Sequence, residues 1–250
     1  MPKNRGYTVA NVFDEMGVYW AEIADKNQTE RQIQFLKSHL KPAGYVLDLA
    51  CGSGRHSIAL TAEGYTMVGL DVSLGLLKIA KQRSNDIAVV LGDIRFLPFK
   101  TSTFKAAVSV DTSFGYLLSE ADDKVSLAEV RRTLSKEGLL VIDVFNREYL
   151  VLKYKAQENL VKDIDYPSFL LKQKRMVSDR GDWLCDSWTI HDKSDGRISF
   201  FEHKVRLYGR IKLCCLLEGT GFRINRVLGS YEQEEFGNNS PRLIFLAVAE

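Results

Sequence analysis

The fold is decided by the stretch Val46-Leu47-Asp48-Leu49-Ala50-Cys51-Gly52-Ser53-Gly54-Arg55-His56. An apolar strand ends in an acidic residue, and a loop of small residues then opens a helix. Gly52 and Gly54 carry no Cβ, so the backbone can approach a ligand closely. The helix that starts here has free N–H groups in its first turn. A loop of this kind at the carboxyl end of the first strand is where doubly wound sheets bind nucleotides.

The same pattern recurs downstream. Val68-Gly69-Leu70-Asp71 ends a second apolar run, seventeen residues after Gly54. A carboxylate there can accept hydrogen bonds from both hydroxyls of a ribose. Leu91-Gly92-Asp93-Ile94 ends a third run, and its carboxylate can accept from an exocyclic amine such as that of adenine. Three acidic strand ends in order are more specific than any one glycine motif. The dinucleotide fingerprint G-x-G-x-x-G is incomplete, because Ser57 stands at its third position. Asp48 would repel a pyrophosphate and suits a cationic ligand. No G-x-x-x-x-G-K-[ST] triphosphate loop is present.

Farther out, apolar runs at Tyr45–Leu49, Thr66–Leu70, Ile87–Leu91, Ala106–Val110 and Leu139–Val144 alternate with helical segments near Arg55–Ala62, Leu74–Arg83 and Ala121–Leu134. Ser73 and Ser119 stand where N-caps are expected. Such alternation predicts a parallel sheet with helices on both faces. Upstream, Phe13, Met16, Trp20 and Ile23 share one helical face, and a second helix carries Ile33, Leu36 and Leu40. Beyond residue 150 the alternation stops. Gln173–Ile190 and Arg197–Leu207 read as strands of an added antiparallel sheet, joined through the Asp195-Gly196 turn signal. A helix near Arg210–Leu217 follows, with Cys214, Cys215 and Ile211 expected on its apolar face. Strands Phe222–Tyr231 and Arg242–Val248 close the chain.

Composition bounds the function classes. The chain has 250 residues, with 34 Lys plus Arg against 32 Asp plus Glu, a net charge of +2. That balance gives no global attraction to nucleic acid or to an anionic membrane. The longest apolar run, Leu243–Ala249, has seven residues against the roughly 20 a membrane span needs. Residues 1–17 show no apolar h-region, so no secretory signal is expected. Four cysteines without a C-x-x-C pair point to a reduced, cytoplasmic protein. Four histidines without ligand spacing predict no metal site.

At this point the chain resembles the class I S-adenosylmethionine-dependent methyltransferases over roughly residues 45–145. VLDLACGSG is similar to that family's glycine-rich first motif, GLDVS to its ribose-binding strand end, and GDIRFLPF to its adenine-side motif. The resemblance implies a mostly parallel, seven-stranded, Rossmann-like α/β sheet. It also implies a helical lid over residues 1–40, a cofactor-binding half over 41–150, an inserted β subdomain over 151–208 and a C-terminal return to the sheet over 209–250, all as one domain. It places Asp48, Gly52 and Gly54 at the methionine moiety, Asp71 at the ribose and Asp93 at the adenine amine. Tyr19, Ala50, Cys51, Val72, Gly92, Ile94 and Asp111 complete the expected cofactor set. Ala50 departs from the family, which most often has Gly there.

Ser109-Val110-Asp111-Thr112-Ser113-Phe114-Gly115-Tyr116 follows the fourth strand, beside the acceptor in this family. It is not the [DNS]-P-P-[YF] motif that resembles amino-methylating enzymes acting on adenine or glutamine. No Pro-Cys nucleophile for cytosine is present. The N-terminal helices and the insert resemble the small-molecule branch. Polar groups near such an acceptor are Tyr19, Asp111, Tyr116, His191, His203 and Arg242. Tyr116 and Arg242 rank first by position, Arg242 as a partner for an acidic group on the acceptor. The expectation is methyl transfer to N or O of a small molecule. Transfer to RNA or protein, or cofactor binding without transfer, are the alternatives.

Overall fold

The computed structural model describes residues 9–25, 28–155 and 160–250. Most of the N-terminal stretch read for a leader, residues 1–8, lies outside them. Helices α1 (Val9–Asp25) and α2 (Thr29–His39) precede an alternating core. The core runs β1 (Tyr45–Leu49), α3 (Arg55–Ala62), β2 (Thr66–Asp71), α4 (Leu74–Arg83), β3 (Ala88–Leu91), β4 (Phe104–Ser109), α5 (Glu120–Thr133) and β5 (Leu134–Phe145). Then come α6 (Arg147–Lys155) and strands β6 (Leu160–Asp165), β7 (Phe169–Val177), β8 (Trp183–Asp192) and β9 (Ile198–Arg206). Helix α7 (Arg210–Glu218), β10 (Phe222–Leu228) and β11 (Arg242–Ala249) end the chain.

The main sheet has the order β10-β11-β5-β4-β1-β2-β3, with β11 antiparallel to both neighbours. Its hydrophobic logic is plainest in β11. Leu243, Phe245 and Ala247 enter one buried cluster, while Ile244 and Leu246 enter the other. Alternate side chains thus feed cores on opposite faces, which is why the strand is apolar throughout. Each fully buried Leu, Ile or Phe contributes about 1.5–3 kcal/mol. Ser73 and Ser119 cap α4 and α5 as expected, their side chains accepting from Leu76 N and Asp122 N. Strand order reverses between β4 and β1, so the loops after these strands diverge and leave a crevice.

The insert is a four-stranded antiparallel sheet, β6-β7-β8-β9. It is the added antiparallel sheet expected, with a different division into strands. Gln173–Ile190 is not one strand, because the chain turns between β7 and β8. There Ser178 Oγ accepts from Asp182 N and Trp183 N, and Gly181 takes φ +69°. Strand β6 and helix α6 were not foreseen. The sheet's inner face holds α1, with Tyr166, Phe169, Leu171, Trp188 and Ile190 packed on Met16, Tyr19 and Ile23. Helix α1 bends at Gly17; its Phe13 and Trp20 line the crevice, while Met16 and Ile23 pack on the insert. On α7 the buried stripe is Leu213 and Leu217, spaced i, i+4. Ile211 is 80% exposed and Cys215 is exposed, which corrects the face expected there. Among the described residues no helix is long and apolar enough to cross a membrane.

Candidate active site

The loop after β1 is built on three left-handed residues, Ala50 (φ +53°), Gly52 (φ +56°) and Gly54 (φ +78°). The two glycines serve different ends. A Cβ at Gly54 would meet Ala80 Cβ and Ile87 Cδ1 at 3.0 Å, so this glycine lets α3 seat on its neighbours. A Cβ at Gly52 would meet only Leu76 Cδ1 at 3.8 Å, because Gly52 faces open space. That space is a cavity of about 440 Å³, within the ~300–1,000 Å³ usual for cofactor and small-molecule sites.

Asp71, at the end of β2, organises one end of the cavity. Its Oδ2 accepts from Gly52 N at 2.8 Å and its Oδ1 from Ser73 N at 2.8 Å. One carboxylate thereby joins the β1 loop to the start of α4. Burial raises its carboxyl, and the backbone donors pull it back. Asp14 of α1 extends the network, its Oδ1 accepting from Ser73 Oγ at 2.6 Å and Gly75 N at 2.8 Å. The carboxylate thus sits at the N-terminus of α4, where negative charge is favoured. Asp14→Ala is expected to cost ~1 kcal/mol. Limited proteolysis should then cut α1 faster, and an unchanged cleavage rate would show that this tie does not hold the helix.

Asp48 is buried and accepts from Ser57 Oγ at 2.7 Å. Burial pushes its carboxyl up to about 6, against the pull of that hydroxyl. The Cys51 thiol lies far above its usual range, first because it is buried and then because Asp48 and Asp71 are near. It stays a thiol and packs as a small apolar residue.

At the end of β3, Asp93 takes a bidentate pair from Arg95, with Nε at 3.1 Å and the closest guanidinium nitrogen at 2.6 Å. Arg95 holds this carboxyl below its usual range. The sequence reading missed Arg95, although the i, i+2 spacing within a turn was there to be seen. At the end of β4, Asp111 and Thr112 both take positive φ, at +59° and +63°. Two successive non-glycine residues in this region are strained. Asp143 holds them, its Oδ2 accepting from Asp111 N at 2.8 Å and its backbone O from Thr112 N at 3.0 Å. The Asp111 carboxylate pairs with Arg55 at 2.8 Å.

The structure brings Asp48, Ala50, Cys51, Gly52, Asp71, Val72, Asp93, Ile94, Asp111 and Tyr116 to the cavity wall. Gly54, Gly92, Tyr19 and Arg242 are not on it. Tyr19 turns to the insert, where its hydroxyl donates to Asp192 at 2.6 Å. Arg242 closes a bidentate pair on Asp143 at 2.8 and 2.7 Å, donates to Thr112 Oγ1 at 2.9 Å and stacks on Phe145. His191 is exposed. His203 is buried behind Trp20 and Tyr116, and burial lowers its imidazole to about 4, so it is neutral at neutral pH. Sequence reasoning missed Phe13, Trp20 and Arg55 on the wall.

A family profile described as methyltransferase domain matches residues 46–138. The glycine/sarcosine/dimethylglycine N-methyltransferase of Actinopolyspora halophila is 34% identical over 250 residues, spanning 92% of this chain and 40% of that protein. Several other curated relatives are matched over only 42% to 59% of their own length. The CcbJ methyltransferase from Streptomyces caelestis aligns with a TM-score of 0.81 at 17% identity, covering 96% of this chain and 98% of its own. CalS10 from Micromonospora echinaspora, an amino pentose methyltransferase solved with S-adenosylmethionine bound, aligns at 0.69 and 16% identity, covering 93% and 97%. At these identities the structural likeness establishes the fold. Residues 46–138 match a methyltransferase domain, and the chain as a whole has the fold of these methyltransferase structures.

Proposed function

We propose that the protein transfers the methyl group of S-adenosylmethionine to nitrogen or oxygen of a small molecule, inside the cell. The observation that carries this is the shape of the cavity. Its wall carries the Asp71 and Asp93 carboxylates together with the rings of Phe13, Trp20 and Tyr116, the first two of them from α1. An acceptor that lies beneath a helix is a small molecule more readily than a polymer. The glycine and amino pentose methyltransferases among its relatives point the same way.

When bound, the cofactor supplies a methyl group on positively charged sulfur. The residues of the chain bind, orient and desolvate. Asp71 would accept from the ribose hydroxyls with the acceptor capacity its carboxylate keeps beside the bonds from Gly52 N and Ser73 N. Asp93 would accept from the adenine amine beside Arg95. Gly52 leaves room for the methionine moiety, and the Asp48 carboxylate supplies negative charge near the sulfur. Tyr116 lies at the acceptor end.

Calorimetric titration with S-adenosylhomocysteine, beside NADH, followed by a methyl-transfer screen of small acceptors, tests this proposal. Micromolar binding of the former only, with turnover of a small acceptor, is the expected result. Methyl incorporation confined to an RNA or protein fraction would overturn it.

The charge on Asp48 gives a pH test. An unfolded aspartate titrates near 4, and in the fold this carboxyl titrates near 6. The native state therefore holds the proton more tightly. The stability that Asp48 contributes is present below about pH 4 and is lost as pH rises through 6. Ligand-free Asp48→Asn should thus gain melting temperature over the parent at pH 7.5 and not at pH 4. Affinity for S-adenosylmethionine relative to its neutral-sulfur product should rise through pH 6, by about tenfold for ~1.4 kcal/mol of added attraction. A ratio that stays flat in the parent protein would remove Asp48 from the sulfur's surroundings.

A further inference from the structure

We infer that the acceptor is an amine carried on an apolar body, and that Trp20, Phe13, Tyr116 and Asp111 select it. This rests on the small-molecule reading above and narrows it to one chemical class.

The first observation is charge. Four carboxylates reach the cavity wall, from Asp48, Asp71, Asp93 and Asp111, against two guanidinium groups. Both guanidinium groups are matched, Arg55 to Asp111 and Arg95 to Asp93. No lysine lines the cavity among the described residues. An anionic acceptor, such as a phosphate or carboxylate, would find no uncommitted cation and would face net negative charge. A cation would be welcome. Asp111 shares the cavity wall with Tyr116, five residues on, and its side chain is one-third exposed. Its Oδ2 pairs with Arg55, and no described residue donates to its Oδ1.

The second observation is the aromatic wall. Phe13 meets Trp20 edge-on at 5.0 Å and Tyr116 edge-on at 5.3 Å. The Trp20 indole is fixed from behind by stacking on Trp188 at 5.5 Å. Rings held this way present π surface at no further ordering cost, and such surface attracts ammonium groups.

The third observation is proton chemistry. A hydroxyl acceptor needs a base, and His56 is the histidine on the wall. His56 is buried, its Nε2 is held to Gln32 Oε1 at 2.8 Å, and burial drives its imidazole far below the usual range. An amine arrives as ammonium and needs only to pass one proton to water before it reacts. Its neutral form attacks the methyl carbon with its lone pair, the carbon–sulfur bond breaks, and the pair stays on sulfur. The positive charge passes from sulfur to nitrogen, and the methylammonium product then loses its proton to water. Charge therefore moves within one cavity whose wall carries carboxylates and π faces, and no new charge is created.

The test uses the full chain saturated with S-adenosylhomocysteine. Benzyltrimethylammonium is titrated calorimetrically beside neopentylbenzene, its uncharged isostere, and beside phenylacetate. The ammonium should bind at least tenfold more tightly than either, and Trp20→Leu should lower its affinity about tenfold. Trp20→Phe, which keeps an aromatic face, should recover most of that loss. A parallel turnover panel pairs each alkyl or aryl amine with the matching alcohol. Preference for the neutral isostere or for phenylacetate would overturn the inference, as would an unchanged ammonium affinity in Trp20→Leu. Turnover of alcohols without amines would overturn it too, while leaving the small-molecule reading intact. Turnover of no small acceptor would overturn both.

Discussion

Asp71→Ala is expected to weaken S-adenosylhomocysteine binding by at least a hundredfold. The side chain does two jobs with one charge. It ties Gly52 N and Ser73 N at 2.8 Å each, which fixes the β1 loop against the start of α4. It also lines the cavity, where it would accept the two hydroxyls of a ribose. Hydrogen bonds to a charged group are worth about 1.5–3 kcal/mol each. Losing two costs about 3–6 kcal/mol, or roughly 10²–10⁴ in affinity. Asp71→Asn should be nearly as damaging, because an amide nitrogen turned toward Gly52 N or Ser73 N sets donor against donor. Calorimetry reads the affinity, and a near-native circular dichroism spectrum guards against simple unfolding. A loss below tenfold in Asp71→Ala would show that the ribose is held elsewhere.

How much of this site was legible follows from the reach of each interaction. Asp48, Gly52, Asp71 and Asp93 are marked by strand ends and turns, which are local features. The fold places all four on the cavity wall. The four-stranded insert was legible as β structure but not in its strand count. Its β7–β8 turn is written in Ser178 and Gly181, which lack the plain two-residue signal of Asp195-Gly196. The α1 face was legible as apolar, yet the pattern does not say that Phe13 and Trp20 face the cavity while Met16 and Ile23 pack on the insert. Tyr19 and Trp20 are adjacent in sequence, and the fold sends one to Asp192 and the other to the cavity. The long-range ion pairs were not legible at all. Arg55 finds Asp111 across 56 residues, and Arg242 finds Asp143 across 99. Charge composition does not encode partners at that range.

Arg242 is where this matters most, because its position alone suggested a partner for an acidic acceptor. The fold instead commits it to Asp143, and Asp143→Ala is expected to destabilise the protein by about 3–5 kcal/mol. For a chain of this size that lowers the melting temperature by roughly 6–20 °C. The buried Asp143 carboxylate takes two bonds from Arg242, one from the Tyr231 hydroxyl and one from Asp111 N. Removing it strands a guanidinium that is only 11% exposed and leaves the strained Asp111–Thr112 turn without its anchor. Arg242→Ala strands the carboxylate in turn, though Tyr231 and Asp111 N still donate to it, so its loss should be the smaller of the two. Asp143→Asn keeps the shape, but its single carbonyl oxygen must serve donors that two carboxylate oxygens now share, so it should fall between the parent and Asp143→Ala. Because the pair supports the turn that carries Asp111, the same variants should weaken binding beside Asp111 more than beside Asp71. The measurements are thermal denaturation beside separate titrations with S-adenosylhomocysteine and with an ammonium probe. An Arg242→Ala protein with unchanged melting temperature and selective loss of an anionic acceptor would return this arginine to the acceptor, and would contradict the ion-pair account.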